Sequence, residues 1–256
     1  MLSTIERRQE IVHLAQIQGK VTVDDLAKQF AVSTVTIRND LNDLNSNGLL
    51  VRCRGGAVAS TKLTRELSVQ ERYKEHLPVK QRLGRAVVDL IAPGESIILD
   101  AGTTTEEVAH CLADHKDLVV MTNGLNIASV LAGFEDIEVR ITGGTLRSKS
   151  MSFYGRPAEE SLRHMHFDKV VLGVDGFDAK AGITTYFEPE ALLNRLMCDV
   201  SSEIIAVTDS SKFDRRGFHI ICACTDITTL VTDSGLPDSY RQLLADAGVQ
   251  LCLVDL

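Results

Sequence analysis

Three stretches of the sequence, DAGTTT (100–105), TNG (122–124) and TGG (142–144), set hydroxyl side chains beside glycine directly after apolar runs. Backbone N–H groups and hydroxyls in such a loop cradle a phosphate, best where the loop runs into a helix. The candidate contacts are Asp100, Gly102, Thr103, Thr104, Thr105, Thr122, Asn123, Gly143 and Gly144, with Arg147 and Lys212 able to neutralise a dianion. DAGTTT lacks the lysine of a nucleotide P-loop. A single Thr/Gly loop is equally an ordinary turn, and it is the repetition after three apolar runs that favours a phosphate site. Carboxylates form a second group: Asp175 in DGFD, where Gly176 follows it in the same candidate loop, and Glu188 in FEPEA can grip sugar hydroxyls. Glu188 and Glu190 also suit a helix N-terminus, whose dipole favours acidic residues, a reading that weighs more for Glu190.

A different chemistry is written in VSTVTIRND (32–40). Ser33 can cap a helix from Thr34 to about Asn45 that buries Val35, Ile37, Leu41 and Leu44. Ser33, Thr34, Thr36, Arg38 and Asn39 are then left for another task. Short hydroxyls suit phosphates at close approach, while an arginine or an amide reaches base edges in bidentate fashion. Arg52 and Arg54 flank a strand of the hairpin LLVRCRGGAV and suit phosphates or a minor groove. Polar residues opposite an apolar stripe are also the usual face of a solvated helix. Context favours the groove reading, because the elements before it are a helix from Thr4 to Gln18 and a short helix capped by Thr22. Three helices and a hairpin make a winged helix-turn-helix for double-stranded DNA.

The charge distribution agrees. The chain carries 27 Lys/Arg and 35 Asp/Glu, a net charge of -8. Residues 1–62 hold eight Lys/Arg against six Asp/Glu, or +2, which leaves 19 against 29, or -10, for the rest. A basic segment joined to an acidic body suits a phosphate anchor.

Beyond a polar linker or connecting helix segment at 59–78, a helical pattern covers Lys80 to Ile91, and one grammar then repeats. The apolar runs SIIL, LVVM, IEVRI, KVVLGV, EIIAV, TTLV and VQLCLV each end in a small-residue polar loop, with helical segments such as Thr105–Ala113 and Ala191–Ser201 between them. Strand, loop and helix in series predict an α/β domain with a mainly parallel sheet, which binds ligands at the carboxyl ends of its strands. The expected boundaries are 3–58 for the DNA-binding domain, 59–78 for the linker and 79–256 for the sensor.

At 256 residues and 44% hydrophobic content the chain can bury a large core. No apolar run reaches the roughly 20 residues of a membrane span, and the N-terminus MLSTIERRQE is charged, so the cytoplasm is expected and no membrane partner. Six scattered cysteines fit reduced thiols. His164 and His166 in RHMHFD, and Cys222 with Cys224, lack the accompanying ligands of a metal site, so no metal is expected.

The run SxxTIRxDLxxLxxxGxxxRxxGGA, Ser33 through Ala57, resembles the DNA-binding signature of the DeoR family of bacterial sugar-catabolism regulators. Many members carry arginine after TIR, where this chain has Asn39, so the family's operator sequence does not transfer. The resemblance implies a sensor domain similar in fold to ribose-5-phosphate isomerase that binds a phosphorylated sugar, with DAGTTT as phosphate loop, GVDG supplying Asp175 and DSSKF supplying Lys212. It also implies a repressor acting as a dimer or tetramer, with no cofactor beyond the effector. VSTVTIRNDL, FYGRPAEESL, HFDKVVLGVDGFD and RLMCDV resemble the amino-sugar branch of that family, which implies a phosphorylated amino sugar or related hexose phosphate. The rival is a sugar-phosphate isomerase-like enzyme with an appended DNA-binding module. Asp175 and Asp178 are kept, but GITTYFEPEA stands where the isomerases carry a lysine-glycine run, so no catalytic residues are assigned.

Overall fold

The structure, a computed structural model, describes residues 4–46, 49–59 and 68–255. Its contacts divide the chain into two compact units, Met1–Glu66 and Leu67–Leu256.

In the first unit the order is α1 (Thr4–Gln18), β1 (Lys20–Thr22), α2 (Val23–Phe30), α3 (Thr34–Ser46), β2 (Leu50–Cys53) and β3 (Gly56–Ala59). Thr22 starts α2 by accepting the Asp25 N–H, as the sequence predicts. Ala31 ends it in the left-handed region at φ 52, which sends the Val32 N–H to the Ala27 carbonyl and closes the turn. Ser33 Oγ then accepts the Thr36 N–H at 3.1 Å and opens α3. Ile11, Leu26, Ile37, Leu41, Leu44 and Leu50 meet in the core. The antiparallel order β1-β3-β2 forms the wing beside it.

One expectation is corrected here: Val35 is 61% exposed. Ile37, Leu41 and Leu44 define the buried stripe, and Val35 stands about 200° round the helix from Ile37. The inward position is filled instead by Asp40, whose carboxylate takes Arg7 Nε at 2.7 Å and Arg8 Nε at 2.8 Å from α1. The expected linker is also shortened. Its residues 60–67 lie outside the described residues, and 69–74 and 77–78 are helical, joined by a turn at 75–76, and belong to the second unit.

That unit runs α4 (Val69–Lys74), α5 (Leu77–Val88), β4 (Ser96–Leu99), α6 (Thr103–Cys111), β5 (Leu118–Thr122), α7 (Leu125–Leu131), β6 (Ile137–Ile141), β7 (Thr145–Arg147), β8 (Ser152–Tyr154), α8 (Arg156–Leu162) and β9 (Phe167–Gly173). It continues with β10 (Gly176–Asp178), β11 (Gly182–Thr185), α9 (Glu188–Asp199), β12 (Ser201–Val207), β13 (His219–Cys222), β14 (Thr229–Asp233), α10 (Asp238–Asp246) and β15 (Gln250–Val254). Each of the seven apolar runs is a strand of one parallel sheet in the order β15-β14-β12-β9-β4-β5-β6. Alternation decides the layers: Ile97 and Leu99 pack with α5 and α6, while Ile98 faces the side of α8, α9 and α10. Helix α9 starts three residues before its expected Ala191, because Pro189 sits in the first turn, where a missing N–H costs nothing.

The order has a consequence for ligands. From β4 the chain moves to β5 and β6 on one side, then returns to β9 on the other side of β4. The loops leaving β4 and β9 part in opposite directions and open a crevice at the carboxyl ends. The small sheet β10-β11-β13 and the hairpin β7-β8 follow strands of the main sheet at that same end.

The clamp on α3 generates a test. Removing the Asp40 carboxylate strands Arg7, which is 8% exposed, without its buried partner. Asp40→Ala is expected to lower the stability of the N-terminal unit by about 3–5 kcal/mol, read as faster hydrogen–deuterium exchange of α1 and α3 peptides in the full chain. Unchanged exchange would show that α3 is held by its apolar stripe alone.

Candidate nucleic-acid interface and effector pocket

On α3 the side away from the core carries Thr34, Arg38 and Asn39, all exposed, with Thr36 half-buried. The Ser33 and Thr36 hydroxyls lie 2.9 Å apart at the helix start. Arg52 is half-buried in the wing and donates from Nη1 to the Gly56 carbonyl at 3.0 Å, while its N–H donates to Asn45 Oδ1. Arg54 is exposed in the turn that joins β2 to β3. Arg38, Asn39 and Arg54 therefore keep exposed polar groups, and Arg52 fixes the wing against α3.

In the second unit the crevice between β4 and β9 holds a pocket. Asp100, Gly102, Thr103, Thr104, Asn123, Asp175 and Lys212 line it, seven of the fourteen effector candidates from four separate loops. Helix α6 begins at its edge with Gly102 as cap and no side-chain hydrogen bond, so the first-turn N–H groups of 103–105 face the pocket side unused by capping. Asn123 Oδ1 accepts the Ala101 N–H at 2.8 Å, which turns the amide inward, and its Nδ2 is buried with no partner among the described residues.

Both cations and acids line this space. Lys80 is 3% exposed, and burial, then the neighbouring Lys212, brings its ammonium down to about 8. Asp209 caps the turn 210–212 that carries Lys212; burial raises its pKa, but the Ser211 hydrogen bond and the Lys212 charge outweigh this and hold it below the usual range. On the acid side, burial first, then the Glu190 and Asp175 carboxylates, push Asp100 well above the usual carboxylate range. Asp175 Oδ1 accepts Arg72 Nη1 at 2.7 Å, and Oδ2 accepts the Thr185 hydroxyl at 2.8 Å. Glu190 accepts from Ser150 and Ser152 at 2.5 Å each and from Arg147 at 3.2 Å. The lining thus offers both cationic and carboxylate groups to a ligand.

The remaining candidates stand behind the lining or away from it. Thr105 Oγ1 donates to the Gly102 carbonyl and Thr122 Oγ1 to the Leu99 carbonyl, so both fix the loops. Gly143 and Gly144 form the turn into β7; Gly144 has φ +106, and a Cβ there would come within 2.5 Å of the Tyr154 carbonyl oxygen. Gly176 starts β10, where a Cβ would meet the Arg215 carbonyl oxygen at 2.7 Å. Arg147 stacks on Phe187 at 4.4 Å and reaches Glu190 rather than the pocket. Glu188 is exposed on the first turn of α9, and it is Glu190 that faces in, with Asn194 one turn on.

Sequence reasoning missed Arg72, Lys80, Ser150, Ser152, Thr185 and Asn194 as lining residues. Two had a signal. Lys80 shares the buried stripe of α5 with Leu83 and Val87, and Asn194 shares that of α9 with Ala191 and Met197, so each is a polar residue at an apolar helical position.

Comparison with known proteins agrees with both halves. The DeoR-like helix-turn-helix domain matches residues 7–62, and the DeoR C terminal sensor domain matches residues 75–234. The chain is 46% identical to the putative aga operon transcriptional repressor of Escherichia coli O157:H7 over 98% of this chain and 94% of that one. It is 31% identical to the glycerol-3-phosphate regulon repressor of Escherichia coli K12 over 96% of this chain and 97% of the relative. Among solved structures, ribose 5-phosphate isomerase A of Neisseria gonorrhoeae superposes with a TM-score of 0.40 at 13% identity, covering 57% of this chain and 55% of that one.

The α3 surface yields a paired prediction. On a duplex carrying the binding site, Arg38→Ala is expected to weaken binding about 10- to 100-fold and relax sequence preference. Arg54→Ala is expected to weaken all sequences alike and reduce the salt slope by about one. Titrations by fluorescence anisotropy at several salt concentrations separate the two, and equal salt slopes would remove Arg54 from the phosphate contacts.

Proposed function

The chain belongs to the DeoR family of transcriptional regulators, as a DNA-binding repressor and not an enzyme, and from that premise we propose that it represses a carbohydrate operon and leaves its operator when a phosphorylated sugar fills the pocket between β4 and β9. One observation carries the reading: a crevice at a topological switch point is lined by Arg72, Lys80 and Lys212 together with the carboxylates of Asp100, Asp175 and Glu190. A phosphate ester of a polyol is the ligand with that division of chemistry. The named targets of two relatives, an aga operon and a glycerol-3-phosphate regulon, support a phosphorylated carbohydrate intermediate. The similarity to the aga operon repressor supports an amino sugar phosphate or related hexose phosphate.

In this reading α6 presents its first N–H groups to the phosphate, joined by Lys80 and Lys212. Asn123 Nδ2, the buried donor without a partner, serves the phosphate or an adjacent hydroxyl. Asp100, Asp175 and Glu190 orient the sugar. A homodimer or tetramer in the cytoplasm would place two α3 helices on operator half-sites, and the shared complex raises affinity beyond that of one unit. Asn39, an amide suited to adenine, contributes to the operator sequence read. The ligand releases DNA only through different affinities for the two states, and a coupling of about 1–3 kcal/mol corresponds to 5- to 150-fold.

The decisive experiment is binding of the full chain to a fragment upstream of its own gene cluster at fixed salt, titrated with hexose and hexosamine 6-phosphates and the free sugars. Weakening by one phosphate ester and not by its free sugar is expected. Tight binding unmoved by every phosphate would sink the effector assignment. A second expectation concerns pH. Lys80 carries its charge below about 8 and loses it above, so effector affinity is expected to fall as pH rises through about 8, by up to about tenfold per unit. Calorimetry between pH 7 and 9.5 reads this, and a flat profile would take Lys80 out of the phosphate contacts.

A further inference from the structure

Helix α4 is the first described element after residues 60–67, and it is fastened at the pocket. Its Arg72 spends Nη1 on Asp175 at 2.7 Å, with the side chain 15% exposed. The Arg72 carbonyl accepts Lys80 Nζ at 2.5 Å, and the Val69 N–H donates to the Lys149 carbonyl at 2.8 Å, next to Ser150. Six residues are too few for a helix that stands alone, and Val69 is the buried side chain of this one. Its position therefore depends on contacts to residues that line the pocket or adjoin it.

The same guanidinium holds something in reserve. Arg72 Nε is buried and has no partner among the described residues. Nε together with a terminal nitrogen is the donor pair that grips a phosphate in bidentate fashion. Asp175, for its part, has both oxygens occupied by Arg72 and Thr185. A sugar hydroxyl can use Asp175 only by displacing one of them.

On the reading of the pocket given above, the geometry points to Arg72 as the residue that reports occupancy. In the free protein it pairs with Asp175 and fixes α4. When a sugar phosphate enters, its phosphate takes the guanidinium and a sugar hydroxyl donates to the vacated Asp175 oxygen, so the arginine keeps an anionic partner and the carboxylate keeps a hydrogen-bond donor on each oxygen. Helix α4 moves with its arginine, and α4 is the first described element after the N-terminal unit in the chain. Arg72 is thus a positioning residue for regulation as well as a ligand contact.

The test uses the full chain with Arg72→Ala and Arg72→Lys, in two arms. Without ligand, hydrogen–deuterium exchange of peptide 69–76 is expected to rise at least about tenfold in Arg72→Ala, and operator affinity is expected to drop. With the hexose or hexosamine 6-phosphate that most weakens the wild-type complex, Arg72→Ala is expected to bind that ester roughly 10- to 100-fold less tightly. At saturation its operator affinity should change less than about twofold, against 5- to 150-fold in the wild type. Arg72→Lys, which keeps the charge without the fork, should fall between.

A saturated Arg72→Ala that releases operator as fully as the wild type overturns the inference. So do unchanged exchange and unchanged operator affinity in the ligand-free arm. If no sugar phosphate affects the wild type yet the ligand-free arm shows both changes, the effector assignment fails and the role of the ion pair in holding the operator-binding state stands.

Discussion

The return of the chain past β4 to build β9 governs the sensor unit. In a parallel sheet every strand ends with the same polarity, so carboxyl-end loops collect at one edge. Only where the order reverses do two neighbouring loops run apart. Asp100 to Thr104 leave β4 in one direction and Gly173 to Asp175 leave β9 in the other, and the space between them needs polar walls because backbone groups there have no strand to pair with. The short sheet β10-β11-β13, the hairpin β7-β8 and the start of α9 then supply Thr185, Ser152 and Glu190 from outside the main sheet. A crevice built this way is deep enough to shift Lys80 and Asp100 in opposite senses, each toward its neutral form.

The N-terminal unit solves a different problem, how an acidic chain presents a surface to a polyanion. Net charge is not the relevant quantity, since Debye screening confines the field to about 8–10 Å. What counts is which charges are free. Two arginines of α1 are committed to Asp40 and one of these also to Asp43, so they order α3 instead of meeting DNA. Arg38, Asn39 and Arg54 keep their exposure. Asp40 thus serves as a buried partner on the core side and Asp43 as an exposed one, and the exposed side of α3 around Thr34, Arg38 and Asn39 carries no carboxylate.

Legibility in the sequence followed the range of the physics involved. The seven strands could be read because a doubly covered parallel strand is a short, nearly continuous apolar run, as in SIIL and EIIAV. DAGTTT, Asn123, Asp175 and Lys212 could be read because each lies just past such a run, where topology forces it to the carboxyl edge. Arg72 could not, since α4 reaches the crevice from a segment with little apolar pattern and its partner Asp175 is 103 residues away. The choice between Glu188 and Glu190 turned on the start of α9, because a helix offset of two residues sends one carboxylate outward and the other inward. Val35 was misplaced for a related reason: apolar character alone does not say which of two adjacent stripes the core will take when a buried ion pair occupies one position.

The empty pocket balances its own charges, and this shapes how it can respond. Arg72 meets Asp175, Arg147 meets Glu190, and Lys80 lies near Lys212 and Asp209. An anion entering a purely cationic cleft would bind without disturbing anything. Here Asp175 holds one terminal nitrogen of the Arg72 guanidinium while Nε has no partner among the described residues, so a phosphate ester that takes both nitrogens must exchange partners. A ligand with phosphate but no hydroxyls would strip Arg72 from Asp175 and leave a partly buried carboxylate short of a donor, which offsets much of the gain. A free sugar would offer hydroxyls but nothing to re-pair the arginine. Only a molecule with both groups at the right separation would complete the exchange, so under the proposed reading selectivity for a phosphorylated sugar and the release of Arg72 from Asp175 would share one physical origin, the re-pairing of both groups.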